Sequence, residues 1–227
     1  MNQEPLHDRR RRILVVDDHP IVRRGIAGLL DAQSDLCCAG EADSVPAAQR
    51  LLRDGKFDLL LVDVSLPGVS GLDLVRRVRS SDQFVPILVL SMHEETMYAE
   101  RALTAGAQGY VMKHESSDLL LAAIRKLLAG GIFVSPAIEK QMLHGFAGNK
   151  PAHTSAAGFA TLNDREFEVL QLIAQGLTSN EIAGRICRSL KSVEAYRTAI
   201  RAKLGARTTI DLARIALEVS GSGSREI

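Results

Sequence analysis

Phe57-Asp58-Leu59-Leu60-Leu61-Val62-Asp63-Val64-Ser65-Leu66-Pro67-Gly68-Val69-Ser70-Gly71 is an apolar run that stops on a carboxylate and is followed by a proline and two glycines. Such a run, bounded by turn residues, predicts a strand buried on both faces of a parallel sheet, with Asp63 at its carboxyl end. In an open doubly wound sheet that edge is where ligands bind. Taken alone, Asp63 reads equally well as a cap for the helix that follows. The other strand ends decide between the two.

Arg12 to Val16 is a short apolar strand that ends on Asp17-Asp18, and from Pro20 to about Ala32 apolar residues recur at helical spacing. Further strands are predicted over Leu36 to Ala39, Leu59 to Val62, Val85 to Leu90 and Gly109 to Met112. The helices between and after them cover Val45 to Arg53, Gly71 to Val78, about Glu95 to Thr104, and Ser117 to Leu128. Repeated alternation of strand and helix implies an α/β fold: a five-stranded parallel doubly wound sheet, covered on both faces.

That topology gathers Asp17, Asp18, Asp63, Ser91 and Lys113 on one sheet edge. Crowded carboxylates repel unless a cation joins them, and hard oxygen ligands suit Mg²⁺, which recruits a phosphate oxygen. A lysine and a hydroxyl nearby suit the other oxygens of a phosphoryl group. Asp63 itself can then be the nucleophile toward phosphorus. His19 and His93 lie close in sequence, but an oxygen-rich site favours Mg²⁺ over metals that want imidazole.

Val16-Asp17-Asp18-His19, the stretch from Asp63 to Gly71, Leu90-Ser91-Met92-His93, and Gly106-Ala107 through Lys113 together resemble the receiver domain of bacterial response regulators. The resemblance implies that Asp63 accepts a phosphoryl group from a sensor histidine kinase. It implies that Asp18 and Asp63 bind Mg²⁺ directly, that Asp17 acts through water, and that the backbone carbonyl of Ser65 is a further contact. Ser91 and Lys113 would touch the phosphoryl oxygens, and Tyr110 would turn inward as Ser91 moves.

The chain has 227 residues, long for one core and comfortable for two domains. With 46% hydrophobic and 24% charged residues it has the composition of an ordinary globular protein rather than a disordered one. No apolar run reaches membrane-spanning length and no signal-peptide core follows Arg9 to Arg12, which predicts a cytoplasmic protein without membrane association. Cys37, Cys38 and Cys187 lack metal or disulfide spacing and are expected to be small buried hydrophobes. Residues 1–131 carry 16 basic against 18 acidic side chains, whereas 161–227 carry 10 against 8. Within 185–207, seven basic residues face only Glu194, a candidate anion-binding face.

The expected organisation is a domain over 1–130, a joint over 131–160 and a smaller all-α domain over 161–227. The joint is rich in Gly, Pro and small residues, with a short helix possible from Ala137 to Phe146. Asn163 to Glu166 and Thr178 to Glu181 read as capping boxes that open two helices, and Ser189 caps a third that runs to Leu204 before Gly205. A fourth begins near Thr208. A basic helix that follows a short one reads as the second member of a helix-turn-helix.

Leu162 to Leu170, Asn180-Glu181-Ile182-Ala183, Ser189 to Glu194 and Lys203-Leu204-Gly205 resemble the LuxR-type DNA-binding domain. With the receiver, this makes the chain similar to the NarL/FixJ class of two-component response regulators. Two departures are Ser179-Asn180 and Tyr196, where that family often has Asn-Lys and His. Entering the major groove by its N-terminal end, the recognition helix presents Lys191, Ser192, Glu194, Ala195 and Thr198, with Arg188, Arg197 and Arg201 placed for phosphates. The last helix carries more apolar surface than one core needs. Its residues Ile210, Ala213, Ala216 and Leu217 are the expected surface of a homodimer formed on phosphorylation, which would require an inverted-repeat site on double-stranded DNA.

The function that emerges is a phosphorylation-dependent transcriptional regulator, not an enzyme. Its rival is a Mg²⁺-dependent phosphotransferase or phosphatase with Asp63 as nucleophile. Against the rival, the residue two positions past Asp63 is Ser65, a poor general acid. A constitutive DNA-binder is disfavoured because every strand-end residue the switch requires is present.

Overall fold

Strands β1 (Arg11–Val16), β2 (Leu36–Ala42), β3 (Leu59–Asp63), β4 (Ile87–Ser91) and β5 (Gly109–Met112) pair in parallel in the order β2-β1-β3-β4-β5. This computed structural model describes residues 10–81, 84–92, 95–136, 138–140 and 161–221. His93 and most of the expected joint, including the greater part of its possible helix, lie outside them. The chain forms two units, the first built on the sheet and the second on the C-terminal helices.

Helices α1 (Pro20–Asp31), α2 (Val45–Asp54), α3 (Gly71–Ser80), α4 (Glu95–Thr104) and α5 (Ser117–Leu128) follow the strands in turn. Successive strand residues point to opposite faces. Ile13, Val15, Leu59, Leu61, Leu88 and Leu90 therefore share one core with Ile26 and Leu30 of α1 and with Ile124 and Leu127 of α5. The alternate residues Leu14, Leu60, Val62 and Val89 are as fully buried. Beyond α5, Phe133 lies parallel to Gly109, and its carbonyl accepts the Tyr110 N–H at 3.0 Å.

Two strand boundaries differ from the expected ones. β4 begins at Ile87 rather than Val85 because Pro86 has no N–H for the ladder, although its carbonyl still accepts from Leu60. β2 continues past Ala39 to Ala42. Its register against β1 steps from Ile13↔Cys38 to Leu14↔Gly40, which leaves Ala39 as the extra residue of a bulge. Gly40 suits this place: a Cβ there would press on the Phe57 ring at 3.1 Å and on Leu14 at 3.2 Å.

In the second unit α6 (Asp164–Ala174) packs with α7 (Ser179–Arg185), α8 (Leu190–Leu204) and α9 (Thr209–Gly221). Both expected capping boxes are formed, on Asn163 with Glu166 and on Thr178 with Glu181, and the Ser189 hydroxyl accepts the Ser192 N–H. Gly205 ends α8 in the left-handed conformation. Leu170, Ile182, Val193, Ile200 and Leu212 are fully buried.

The cysteines correct an expectation. Cys37 and Cys38 are only partly buried, because β2 is an edge strand, and Cys187 is exposed. Cys187 occupies the left-handed position that closes α7, at φ 50°, with the Arg188 N–H returning to the Ala183 carbonyl at 2.9 Å. A side chain in that conformation costs about 1–2 kcal/mol, part of which glycine returns as chain entropy. Cys187→Gly is therefore expected to stabilise the protein by about 0.5–1 kcal/mol, read as a higher urea midpoint at unchanged m-value.

Candidate functional site

Parallel strands bring their carboxyl ends to one edge, and all but β2 end here on a functional group. Asp17 follows β1, Asp63 closes β3, Ser91 closes β4 and Lys113 follows β5. The Lys113 ammonium stands 2.7 Å from Asp17 Oδ2 and 2.7 Å from Asp63 Oδ2, all three side chains being buried. Its backbone N–H donates to the Ser91 carbonyl at 2.7 Å, which fixes the ends of β4 and β5 together. Ser91 and Tyr110 are buried as well.

The local backbone aims these carboxylates. The Ser65 N–H donates to Asp63 Oδ1 at 3.2 Å, and the His19 N–H donates to Asp17 Oδ1 at 2.8 Å. Gly71 opens α3 directly against the end of β3, where any Cβ would collide with the Asp63 carbonyl oxygen. The glycine is therefore the condition for packing α3 beside Asp63.

Carboxylate oxygens of Asp17, Asp18 and Asp63 and a ring nitrogen of His19 all lie within 4.8 Å of one another. Asp18 is the more open of the acids, and His19 Nδ1 stands 2.8 Å from its Oδ1. A hard-oxygen cluster of this kind is compatible with Mg²⁺. Burial pushes the Asp63 carboxyl above the usual carboxylate range; Lys113 pulls it down and Asp17 pushes it up again. Burial also works against the Lys113 charge, but Asp63 and Asp17 outweigh it and hold the ammonium above the ordinary lysine value. The Lys113 ammonium is thus one cation shared between competing acids.

On α8, Lys191, Glu194, Ala195 and Thr198 are exposed along one face, with Ser192, Arg197 and Arg201 partly exposed and Arg188 exposed in the preceding turn. Several polar groups there are engaged within the domain. Ser179 of α7 donates to Glu194 Oε1 at 2.6 Å, and Ser192 and Ser189 share a hydroxyl contact at 2.9 Å. The Thr198 hydroxyl donates to the Glu194 carbonyl at 2.9 Å and accepts from Arg201 at 3.4 Å. The Ser179 contact joins residues fifteen positions apart, so no local pattern announces it.

On α9 the structure separates residues that the helical wheel grouped. Ile210 is 81% exposed and Leu217 58%, with Ala213 between the extremes, whereas Ala216 is fully buried beside Leu212. The outward apolar surface therefore runs through Ile210 and Leu217, and Ala216 belongs to the fold. Periodicity shows two apolar stripes but not which one packs inward. Sequence reasoning also missed Arg23 and Glu41, which stand beside the acid pair. The second was hidden because Gly40 reads as the end of a strand.

Residues 13–125 match the response regulator receiver domain, and residues 160–216 match the bacterial regulatory proteins of the luxR family. The oxygen regulatory protein NreC of Staphylococcus aureus is 36% identical over 211 residues, which cover 91% of this chain and 97% of NreC. RcsB of Salmonella enterica serovar Typhimurium, solved bound to promoter rprA in the presence of phosphomimetic BeF3−, is 25% identical with a TM-score of 0.59, covering 92% and 98% of the two chains. A structure of two RcsB dimers bound to two parallel DNAs has 25% identity and a TM-score of 0.56, covering 93% of this chain and all of that one.

An acid whose folded-state pKa is raised favours folding below its unfolded pKa, and that contribution is lost as pH rises through the folded value. In EDTA, the wild type is expected to lose stability relative to Asp63→Asn as pH rises from about 4 to 7. Thermal melts of both proteins across that range check it; a constant difference in Tm refutes the assignment.

Proposed function

The chain belongs to the two-component response regulators that join a receiver domain to a luxR-type DNA-binding domain, a family of DNA-binding transcriptional regulators, and for this member we propose the following division of labour. Residues 1–130 are the receiver, 131–160 a joint and 161–227 the DNA-binding domain. Asp63 is the phosphoacceptor. The observation that carries this is the buried Lys113 ammonium, placed 2.7 Å from a carboxylate oxygen of Asp63 and of Asp17.

Asp63 attacks the phosphorus of a phosphohistidine on the sensor kinase; the new O–P bond forms as the P–N bond breaks, and the leaving imidazole takes up a proton. Lys113 is drawn from Asp63 to the incoming phosphoryl oxygens, and the Ser91 hydroxyl donates to another of them. Tyr110 is already turned inward in this structure, so it repacks rather than swings in as Ser91 shifts. Asp18, Asp63 and the Ser65 carbonyl would hold Mg²⁺, with Asp17 behind them. When bound, the ion supplies positive charge to the phosphoryl oxygens. The chemistry ends with this self-modification, so the protein is not an enzyme toward small phosphate esters. Because it belongs to a family of DNA-binding regulators, we assign it to the cytoplasm.

The α8 face reads double-stranded DNA. Lys191, Ser192, Glu194, Ala195 and Thr198 face the bases, and Arg188, Arg197 and Arg201 face phosphates. The second copy joins through α9 by Ile210, Ala213 and Leu217, and two-fold symmetry then asks for an inverted-repeat site. RcsB, a relative in sequence and fold, is found on DNA as dimers, which supports this reading.

With beryllofluoride and Mg²⁺, the wild type is expected to bind a two-half-site DNA at least about tenfold more tightly than without them, while Asp63→Asn shows no gain. An equal gain in both proteins rules Asp63 out. For the dimer surface, Leu217→Glu is expected to weaken cooperative binding to two half-sites by about 1–3 kcal/mol while leaving a single half-site unchanged. Equal losses on the two DNAs, measured by electrophoretic mobility shift, remove α9 from the interface.

A further inference from the structure

We propose that Arg23 is the positioning residue of the acid pair, and that the bulge in β2 exists to brace it through Glu41. This rests on the reading of Asp17, Asp18 and Asp63 as a Mg²⁺ site. Arg23 lies early in α1 with its side chain only 17% exposed. Its Nη1 donates to the backbone carbonyl of Asp17 at 2.6 Å, and its Nε donates to Glu41 Oε2 at 3.1 Å. The guanidinium thus spans the turn between β1 and α1 and the end of β2.

The turn it holds is the one that aims the carboxylates. The Asp17 N–H donates to the Ala42 carbonyl at 3.0 Å, and the Arg23 N–H donates to the His19 carbonyl at 3.0 Å. Between those two anchors, the peptide joining Asp17 to Asp18 is gripped by Arg23 alone among the described contacts to its carbonyl. Rotation of that peptide would swing Asp18 relative to Asp17. A fork with two fixed donors resists such rotation, because one nitrogen cannot move without the other.

Glu41 is available only because of the bulge. Paired residues on adjacent strands share a face, and Val15, which points into the core with α1, is paired with Glu41. Were the same stretch paired regularly, with Ala39 opposite Leu14, Val15 would face Gly40, and Glu41 would point to the opposite side of the sheet. A bulge that re-aims one side chain beside a site is a recurrent device. Here it gives Arg23 a fixed partner and neutralises its charge. Arg23 then contributes geometry, not a net positive field that would oppose a cation.

Geometry and field predict opposite signs, which makes the inference testable on the full-length protein. Isothermal titration with Mg²⁺ reads its Kd, and melts in EDTA read the fold independently of the ion. If Arg23 positions the turn, Arg23→Gln raises the Mg²⁺ Kd about tenfold, the scale on which residues behind metal ligands act. Glu41→Gln keeps an acceptor for Nε and shifts the Kd by less than about twofold. Arg23→Lys keeps the charge and can reach the carbonyl but cannot fork to Glu41, so it restores the metal-free stability and only part of the affinity. If the pair acts only through charge, Arg23→Gln tightens Mg²⁺ and Glu41→Gln weakens it; that result overturns the proposal. It is also overturned if Arg23→Gln binds as the wild type does, or if its loss is matched by an equal loss of metal-free stability that Arg23→Lys does not restore. A wild type that binds no Mg²⁺, or an Asp18→Asn variant that binds it equally well, instead defeats the reading of the acid cluster as a metal site.

Discussion

Two buried carboxylates and one buried ammonium hold the first domain in the form described. Asp17 and Asp63 belong to neighbouring strands, and their charges would part the strand ends if Lys113 did not stand 2.7 Å from each. Interior ion pairs offer little net stability, since desolvation offsets most of the attraction. Their effect is to make geometry exacting: removal of the ammonium would leave two buried carboxylates facing each other. Such a cluster keeps β3 and β5 in one relation until a new charge arrives, which is what a switch requires of its resting state.

The sheet and its site were legible in the sequence to a large degree, for a physical reason. Parallel strands covered on both faces have to be apolar throughout, so an acid at the end of such a run stands out, as Asp17 and Asp63 do. Helix caps were equally legible at Asn163, Thr178 and Ser189, because a cap needs only its own side chain and the next three residues. What stayed hidden was tertiary. Gly40 reads as a break, yet the strand passes through it, at a place where a Cβ would press on Phe57 and Leu14. Cysteine is on average a buried residue, but Cys187 sits where the backbone geometry, not the side chain, sets the position. On α9, packing against α6 buries Leu212 and Ala216 and leaves Ile210 and Leu217 outside, a choice that a helical wheel cannot make.

The α8 face proposed to read DNA is less free than its composition suggests. Glu194 accepts from Ser179, and Thr198 spends its donor on the helix backbone. Groups already paired must exchange one hydrogen bond for another when they meet a base, so their net contribution is smaller than that of an uncommitted donor. The same pairing ties the start of α7 to α8, so Ser179 acts on the posture of that helix through Glu194.

Edge strands are where chains ordinarily absorb insertions and deletions, because little is packed beyond them. The bulge at Ala39 shows how β2 does so. A strand without Ala39 would still set Gly40 opposite Leu14 and Glu41 opposite Val15, so the face that Glu41 takes survives the loss of the surplus residue. What the fold holds constant is the pairing beyond Gly40, and the ladder bends to store whatever lies before it. Changes of length in β2 are therefore tolerable only ahead of Gly40, where a bulge can absorb them without turning the carboxylate away from the acidic turn.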